Sequence, residues 1–174
     1  MIERFKPDKY YAKVYDIDFN KIKSEGIKLV AFDLDNTLVP HDILDAPSEV
    51  ASLFNKVKEL GFSVIVLSNN KEERVQRFTQ DLEVEYYFNA RKPLAKTFKL
   101  ILSDHNVKPS ELCLIGDQIM TDIWGANRIG IMSVLVDQIA KRDIFYTKIN
   151  RIFERNVIKK LGKKNLFKLG EYYD

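Results

Sequence analysis

Residues 27–38 read Ile27-Lys28-Leu29-Val30-Ala31-Phe32-Asp33-Leu34-Asp35-Asn36-Thr37-Leu38. The first six are apolar apart from Lys28, and Ile27 and Val30 are β-branched, the make-up of a buried strand. The run stops abruptly at Asp33. Side chains alternate across a strand, so two carboxylates two residues apart at its carboxyl end can face one crevice, which is where open α/β sheets place their ligands. Two anions held that close repel unless a cation or protons intervene, and a divalent metal is the economical explanation. The competing reading is a strand end that runs into a solvated turn; further polar sites at matching places downstream weigh against it.

Working outward, strand-like and helix-like segments alternate. From Pro47, the residues Val50, Leu53, Phe54, Val57 and Leu60 fall on one helical face that closes at Gly61. Residues 62–67 are a continuous apolar run, 71–80 are charged and helix-favouring, and 84–88 predict a short strand. Pro93 opens another helix with Leu94, Phe98, Ile101 and Leu102 on its buried side; residues 112–115 read as strand, 119–128 as helix and 131–136 as strand. Strands joined through helices by short loops are parallel with right-handed crossovers, and near-continuous apolar strands have both faces covered. The predicted fold is a doubly wound, Rossmann-like α/β sheet over residues 27–140, with a polar, Tyr-rich lead (1–26) and a C-terminal extension (141–174).

Composition agrees with a single globular domain. Of 174 residues, 45% are hydrophobic and 30% charged, which leaves no case for a largely disordered chain. Apolar runs are strand-sized and the start has no apolar signal region, so the expected location is cytoplasmic, with peripheral contact to a membrane as an addition. Cys113 sits among apolar neighbours and reads as a buried strand residue. The net charge of +3 is too small to argue for nucleic acid, but residues 141–174 hold ten Lys or Arg against four Asp or Glu. The basic character belongs to the tail.

Three more strand ends carry polar residues. Ser68, with Asn69 and Asn70 behind it, stands where an apolar strand gives way to a helix; a hydroxyl and backbone N–H groups there make an anion-binding corner, or else Ser68 or Asn69 caps the helix. Lys92 follows a strand within Ala90-Arg91-Lys92-Pro93 and can neutralise a phosphoryl group. Residues 114–122, Leu-Ile-Gly-Asp-Gln-Ile-Met-Thr-Asp, repeat the opening theme of an apolar strand, a Gly for a close turn and then acids, Asp117 and Asp122.

The ordered set Asp33-x-Asp35-x-Thr37, Ser68, Lys92 and Gly116-Asp117-x-x-x-x-Asp122 resembles the four motifs of the haloacid dehalogenase superfamily of phosphatases and phosphotransferases, over residues 27–136. Asn36 stands where many members carry Gly. The strings Asp-Asn-Thr-Leu, Ser-Asn-Asn, Arg-Lys-Pro and Gly-Asp-Gln-x-x-Thr-Asp are similar to the uncapped YqeG-type phosphatases and their phosphatidylglycerophosphate phosphatase relatives. The resemblance implies that Asp33 attacks phosphorus to form an aspartyl-phosphate and that Asp35 serves as acid and then base. It implies Mg²⁺ held by Asp33, the main-chain carbonyl of Asp35 and Asp117, with Asp122 orienting that shell. Ser68 and the N–H of Asn69 would hold the phosphoryl group, Lys92 would offset its charge, and Thr37, counted with the substrate-binding residues, would fix the turn that aims Asp35. Oxygen ligands without a His or Cys cluster favour Mg²⁺ over zinc.

The gaps between motifs hold a loop and a helix, or a helix and a short strand, so no cap domain is expected. A lidless crevice suits a lipid headgroup, a macromolecule or a partner subunit better than a small metabolite. In the tail, Ile144, Phe145, Ile149, Ile152, Phe153, Val157 and Leu161 recur at helical spacing while Lys148, Arg151, Arg155, Lys159 and Lys160 take other positions. Such a helix either packs its apolar side on the core with a basic face outward or docks on anionic lipid. His41 is placed to touch substrate, although a lone loop His is more often incidental. The expected function is a Mg²⁺-dependent phosphomonoesterase acting on a phosphatidylglycerophosphate-like headgroup. The alternatives are a nucleotide or phosphoprotein phosphatase, and a nucleic-acid or ribosome-binding module on the same fold.

Overall fold

The computed structural model describes residues 2–140 and 145–174, with side chains described from 153 onward in the second stretch. Its centre is a six-stranded sheet in which every pairing is parallel. The strands are β1 (Lys9–Tyr11), β2 (Leu29–Phe32), β3 (Ser63–Leu67), β4 (Glu85–Tyr87), β5 (Leu112–Gly116) and β6 (Met132–Val136). Their order, β1-β6-β5-β2-β3-β4, places β2 at the middle, where the winding direction reverses and a crevice opens between the ends of β2 and β5. The helices are α1 (Phe19–Ser24), α2 (Ser48–Glu59), α3 (Glu72–Thr79), α4 (Ala95–Asp104), α5 (Trp124–Asn127) and α6 (Phe145–Lys163). Residues Ile119–Ile123 form a π-helical turn before α5.

The period-two alternation of the strands divides the core into two layers. Val30, Phe32, Val64, Val66, Cys113 and Ile115 face α1, α2 and α3, packing on Phe19, Ile22, Phe54, Val57, Val75 and Phe78. Leu29, Ala31, Ile65, Leu67, Leu112 and Leu114 face the other way, onto Phe98, Ile101 and Ala126. A third cluster joins Tyr10 of β1 and Leu135 of β6 to Ile119, Ile123, Leu161 and Phe167. This is the doubly wound α/β architecture expected, and the described residues contain no separate cap domain: 38–47 is a loop before α2, and α3 and β4 fill the stretch from Ser68 to Lys92.

Four local expectations are corrected. Pro93 does not open a helix; it lies in a turn closed by Leu94 N–H donating to the Arg91 carbonyl, and α4 starts at Ala95. Leu94 is therefore ahead of the helix and 53% exposed rather than on its buried side. The helix expected over 119–128 is a π-turn followed by a four-residue α-helix. In the tail, Phe153 is exposed, and the side of α6 turned inward carries Glu154, Val157, Ile158 and Leu161. Ile144 and the side chains of Phe145, Lys148, Ile149, Arg151 and Ile152 lie outside the described residues.

The polar lead contributes a strand. Tyr10 is fully buried, and its N–H and carbonyl exchange hydrogen bonds with Tyr173 near the C-terminus, so the edge of β1 is paired by the tail. The buried Lys9 ammonium meets Glu25 at 2.6 Å. Arg155, Lys159, Lys160, Lys163 and Lys164 of α6 and the residue after it face solvent. Leu161 is the anchor of that helix, and Leu161→Ala is expected to lower unfolding free energy by about 2–5 kcal/mol in urea denaturation. A change below about 0.5 kcal/mol would show that α6 contributes no packing to the core.

Candidate functional site

The parallel ladder aims four chain segments at one point. Beyond β2, the Asp33 N–H still donates to the Ile115 carbonyl of β5 at 2.8 Å, so Asp33 leaves the sheet with its direction set. Asn36 then takes a left-handed conformation (φ 67°), its N–H donating to the Val39 carbonyl at 2.7 Å. Asparagine tolerates that region better than most residues with a β-carbon, which accounts for Asn or Gly at this turn. Ser68 leaves β3, Lys92 follows β4, and Asp117 and Asp122 follow β5.

Lys92 is the hub. Its side chain is only 2% exposed, and Nζ lies 2.5 Å from Asp33 Oδ1, 2.7 Å from Asp122 Oδ1 and 3.1 Å from the Leu67 carbonyl. Its backbone is gripped by Asn69, whose Oδ1 accepts from Lys92 N–H at 2.7 Å and whose Nδ2 donates to the Lys92 carbonyl at 3.3 Å. Asp122 approaches because residue 116 is glycine: a Cβ there would sit 2.4 Å from Asp122 Cγ. The other Asp122 oxygen accepts from the Gln118 N–H, which fastens it across the π-turn.

The charges respond to this crowding. Burial drives the Asp33 carboxyl above its ordinary range, Lys92 draws it back down, and the neighbouring Asp122 and Asp35 push it further up. Burial alone would lower the Lys92 ammonium, but Asp122 and Asp33 outweigh it and hold its pKa above the usual lysine value. Asp33 and Asp122 share the Lys92 ammonium, so two buried carboxylates face one lysine.

Asp33, Asp117 and Asp122 present carboxylate oxygens within 4.8 Å of one another, and all three residues are buried. An all-oxygen donor set of this kind matches a hard divalent cation such as Mg²⁺. The Asp35 side chain is not in that cluster. Its Oδ2 accepts from Asn70 Nδ2 at 2.7 Å, while Oδ1 lies 3.2 Å from both Arg74 Nη2 and His41 Nδ1. The two acids of the opening motif thus stand in different surroundings.

The Thr37 hydroxyl lies 3.2 Å from Asp33 Oδ2 and 3.4 Å from Asp117 Oδ1, so it braces the acidic cluster. Neither Ser68 nor Asn69 caps α3, whose N-cap is Lys71 without a side-chain bond. Instead Ser68 Oγ accepts from the Asn70 N–H at 3.0 Å, and Asn69 holds Lys92. Sequence reasoning missed Arg74 and assigned Asn70 no contact. Arg74 lies on a charged helix where one arginine reads like any other, and only its burial (side chain 10% exposed) sets it apart.

Comparison with known proteins bears on this geometry. The family model described as "HAD-hyrolase-like" matches residues 89–143. The chain is 36% identical over 160 residues to the probable phosphatase YqeG of Bacillus subtilis, covering 92% of this chain and 93% of that one. It is 26% identical to the Arabidopsis thaliana phosphatidylglycerophosphate phosphatase 1, covering 86% of this chain but spanning 46% of that relative. Among solved structures, a HAD family enzyme from Bacteroides thetaiotaomicron, in complex with magnesium and inorganic phosphate, shares the fold with a TM-score of 0.56 at 16% identity. That match covers 70% of this chain and 99% of that one.

Replacing Lys92 by Met leaves Asp33 and Asp122 as uncompensated buried charges. Lys92→Met is expected to lose about 3–5 kcal/mol of stability in chemical denaturation. Adding Mg²⁺ should recover part of that loss, because the cation supplies the missing positive charge. An unfolding midpoint indifferent to Mg²⁺ would contradict the acidic cluster as a cation site.

Proposed function

Because the chain belongs to the haloacid dehalogenase superfamily and is one of its phosphatases, we propose that Asp33 is its nucleophile and Asp35 its proton donor and acceptor. The observation that carries this reading is the convergence of Asp33, Lys92, Asp117 and Asp122 on one buried point, with Asp35 held apart from them. An Asp33 carboxylate oxygen attacks phosphorus as the bond to the leaving oxygen breaks, and Asp35 delivers a proton to that oxygen. Water then attacks the aspartyl-phosphate, giving a proton to Asp35, and the phosphorus–Asp33 bond breaks to release phosphate. Both carboxylates end as they began. Splitting hydrolysis this way replaces one difficult displacement with two easier ones.

Lys92 holds Asp33 in place and offsets charge on the phosphoryl oxygens, while the Ser68 hydroxyl and the Asn69 N–H bind them. Thr37 braces the cluster against Asp117. Asp33, Asp117 and the main-chain carbonyl of Asp35 would hold Mg²⁺, with Asp122 orienting the shell; the buried, all-oxygen donor set fits that ion. When bound, the cation supplies positive charge opposite the transferring phosphoryl group.

The substrate class we favour is a phosphorylated lipid headgroup of the phosphatidylglycerophosphate type. Three observations support it: the similarity to the Arabidopsis enzyme, the absence of a cap domain among the described residues, and a row of exposed basic side chains on α6. No described helix is long and apolar enough to cross a membrane. The contact with lipid that we propose is made by the basic side chains of the C-terminal stretch, at about 1 kcal/mol each near an anionic surface.

Asp33→Asn preserves shape but removes the nucleophile, so a folded variant should lose phosphatase turnover by roughly a thousandfold or more. Normal turnover in that protein would sink the covalent route.

The lipid reading is tested by phosphate release from phosphatidylglycerophosphate in anionic vesicles against glycerol phosphate and nucleotides, with Mg²⁺ and with chelator. Charge reversal at Lys159, Lys160, Lys163 and Lys164 should reduce vesicle turnover while sparing a soluble aryl phosphate, and the vesicle effect should shrink with salt. Faster turnover of a soluble ester than of the lipid, or equal loss on both substrates in the charge-reversed protein, would reassign the substrate.

A further inference from the structure

Asp35 is held by three side chains that come from outside the acidic cluster. Asn70, three residues past β3, donates to Oδ2, whereas Arg74 of α3 and His41 of the 38–47 loop converge on Oδ1. They differ in how firmly they are fixed. His41 is 39% exposed and sits on a loop. Arg74 is nine-tenths buried, its guanidinium 5.6 Å from the centroid of the buried Phe78 ring, and its Nη1 donates to the Leu44 carbonyl at 3.1 Å. Its fork is thereby divided between a main-chain carbonyl and the carboxylate, with a ring beneath it to fix the plane.

We propose that Arg74 is the positioning residue of the proton-transferring acid, fixing the Asp35 carboxylate against the leaving-group side of the crevice. This rests on Asp35 being the group that protonates the leaving oxygen. Proton transfer demands an orientation good to a fraction of an ångström, and a carboxylate on a turn without such a clamp would sample several rotamers. Arg74 suits the task because its planar fork fixes direction as well as charge, which a lysine ammonium cannot. The Leu44 contact adds a second effect: the 38–47 loop is tied to the same guanidinium, so the loop and the acid hold a common position. Arg77 ties that loop through Asp45 at 2.8 Å without touching Asp35, and so separates the two effects.

The experiment measures kcat/KM for a series of aryl phosphates with graded phenol acidity, plus glycerol phosphate, on wild type, Arg74→Gln, Arg74→Lys and Arg77→Gln. Because the leaving group departs before water attacks, kcat/KM reports the step in which Asp35 gives up its proton. Arg74→Gln should lose roughly tenfold to a hundredfold on glycerol phosphate and less than about threefold on p-nitrophenyl phosphate, whose leaving group needs no proton. The dependence on leaving-group acidity steepens accordingly, KM stays within about threefold, and Arg74→Lys recovers part of the loss. Arg77→Gln should keep the wild-type dependence. Equal loss across all esters, a loss carried by KM, or the same steepening in Arg77→Gln would overturn the proposal. Should Arg74→Gln fail to fold, Arg74→Lys read against wild type decides by the same slope. A wild type inert toward every ester with Mg²⁺ present overturns the functional reading itself, whereas an active wild type with an unchanged slope in the variants overturns this proposal alone.

Discussion

A lysine ammonium enclosed between two carboxylates, Asp33 at 2.5 Å and Asp122 at 2.7 Å, is the contact around which the carboxyl edge of this sheet is arranged. Removing these charges from water is expensive, and the arrangement is tolerable only because each group is paired and further bonded. Asn69 grips the Lys92 backbone, the Gln118 N–H binds Asp122, Thr37 braces Asp33, and Gly116 leaves the space into which Asp122 fits. Segments from four strand ends meet there, and none can shift without uncovering a charge.

The same chemistry separates the two acids of the opening motif. Asp33 sits in the charged cluster, where burial and neighbouring carboxylates push its carboxyl up against the pull of Lys92. Asp35, two residues on, faces a different set of partners: Asn70, Arg74 of α3 and His41 of the 38–47 loop. A two-residue spacing at the end of one strand thus delivers two acids into different surroundings.

The C-terminal extension is built into the fold as well as basic. Glu154 of α6 is buried and accepts a hydrogen bond from the Ile119 N–H at the start of the π-turn that carries Asp122. Leu161 and Phe167 fill the third cluster, and the tail pairs with the edge of β1 through Tyr10 and Tyr173. One side of α6 thus supports the site's framework while Arg155, Lys159, Lys160 and Lys163 are left to solvent.

Much of this was legible in the chain because period and punctuation are local properties. Apolar runs ending in Asp33, Ser68, Lys92 and Asp117, spaced by helix-sized segments, determined a parallel doubly wound sheet and the crevice where those residues meet. The lead strand Lys9–Tyr11 was not legible: it is three residues long in a polar stretch, and its burial comes from β6 and from a tail more than 160 residues away. Leu94 and Phe153 carry the right spacing for a buried face, but a turn at Arg91–Leu94 and the seating of α6 on Glu154 and Leu161 turned them outward. Arg74, Asn70 and the bracing role of Thr37 depend on distances across the crevice that no periodicity encodes. The sequence by itself determined which residue types stand at each strand end, because strand alternation and chain order suffice for that. Which acid meets Lys92 and which meets Arg74 was decided only by the tertiary structure, since buried charge must find its partner in space.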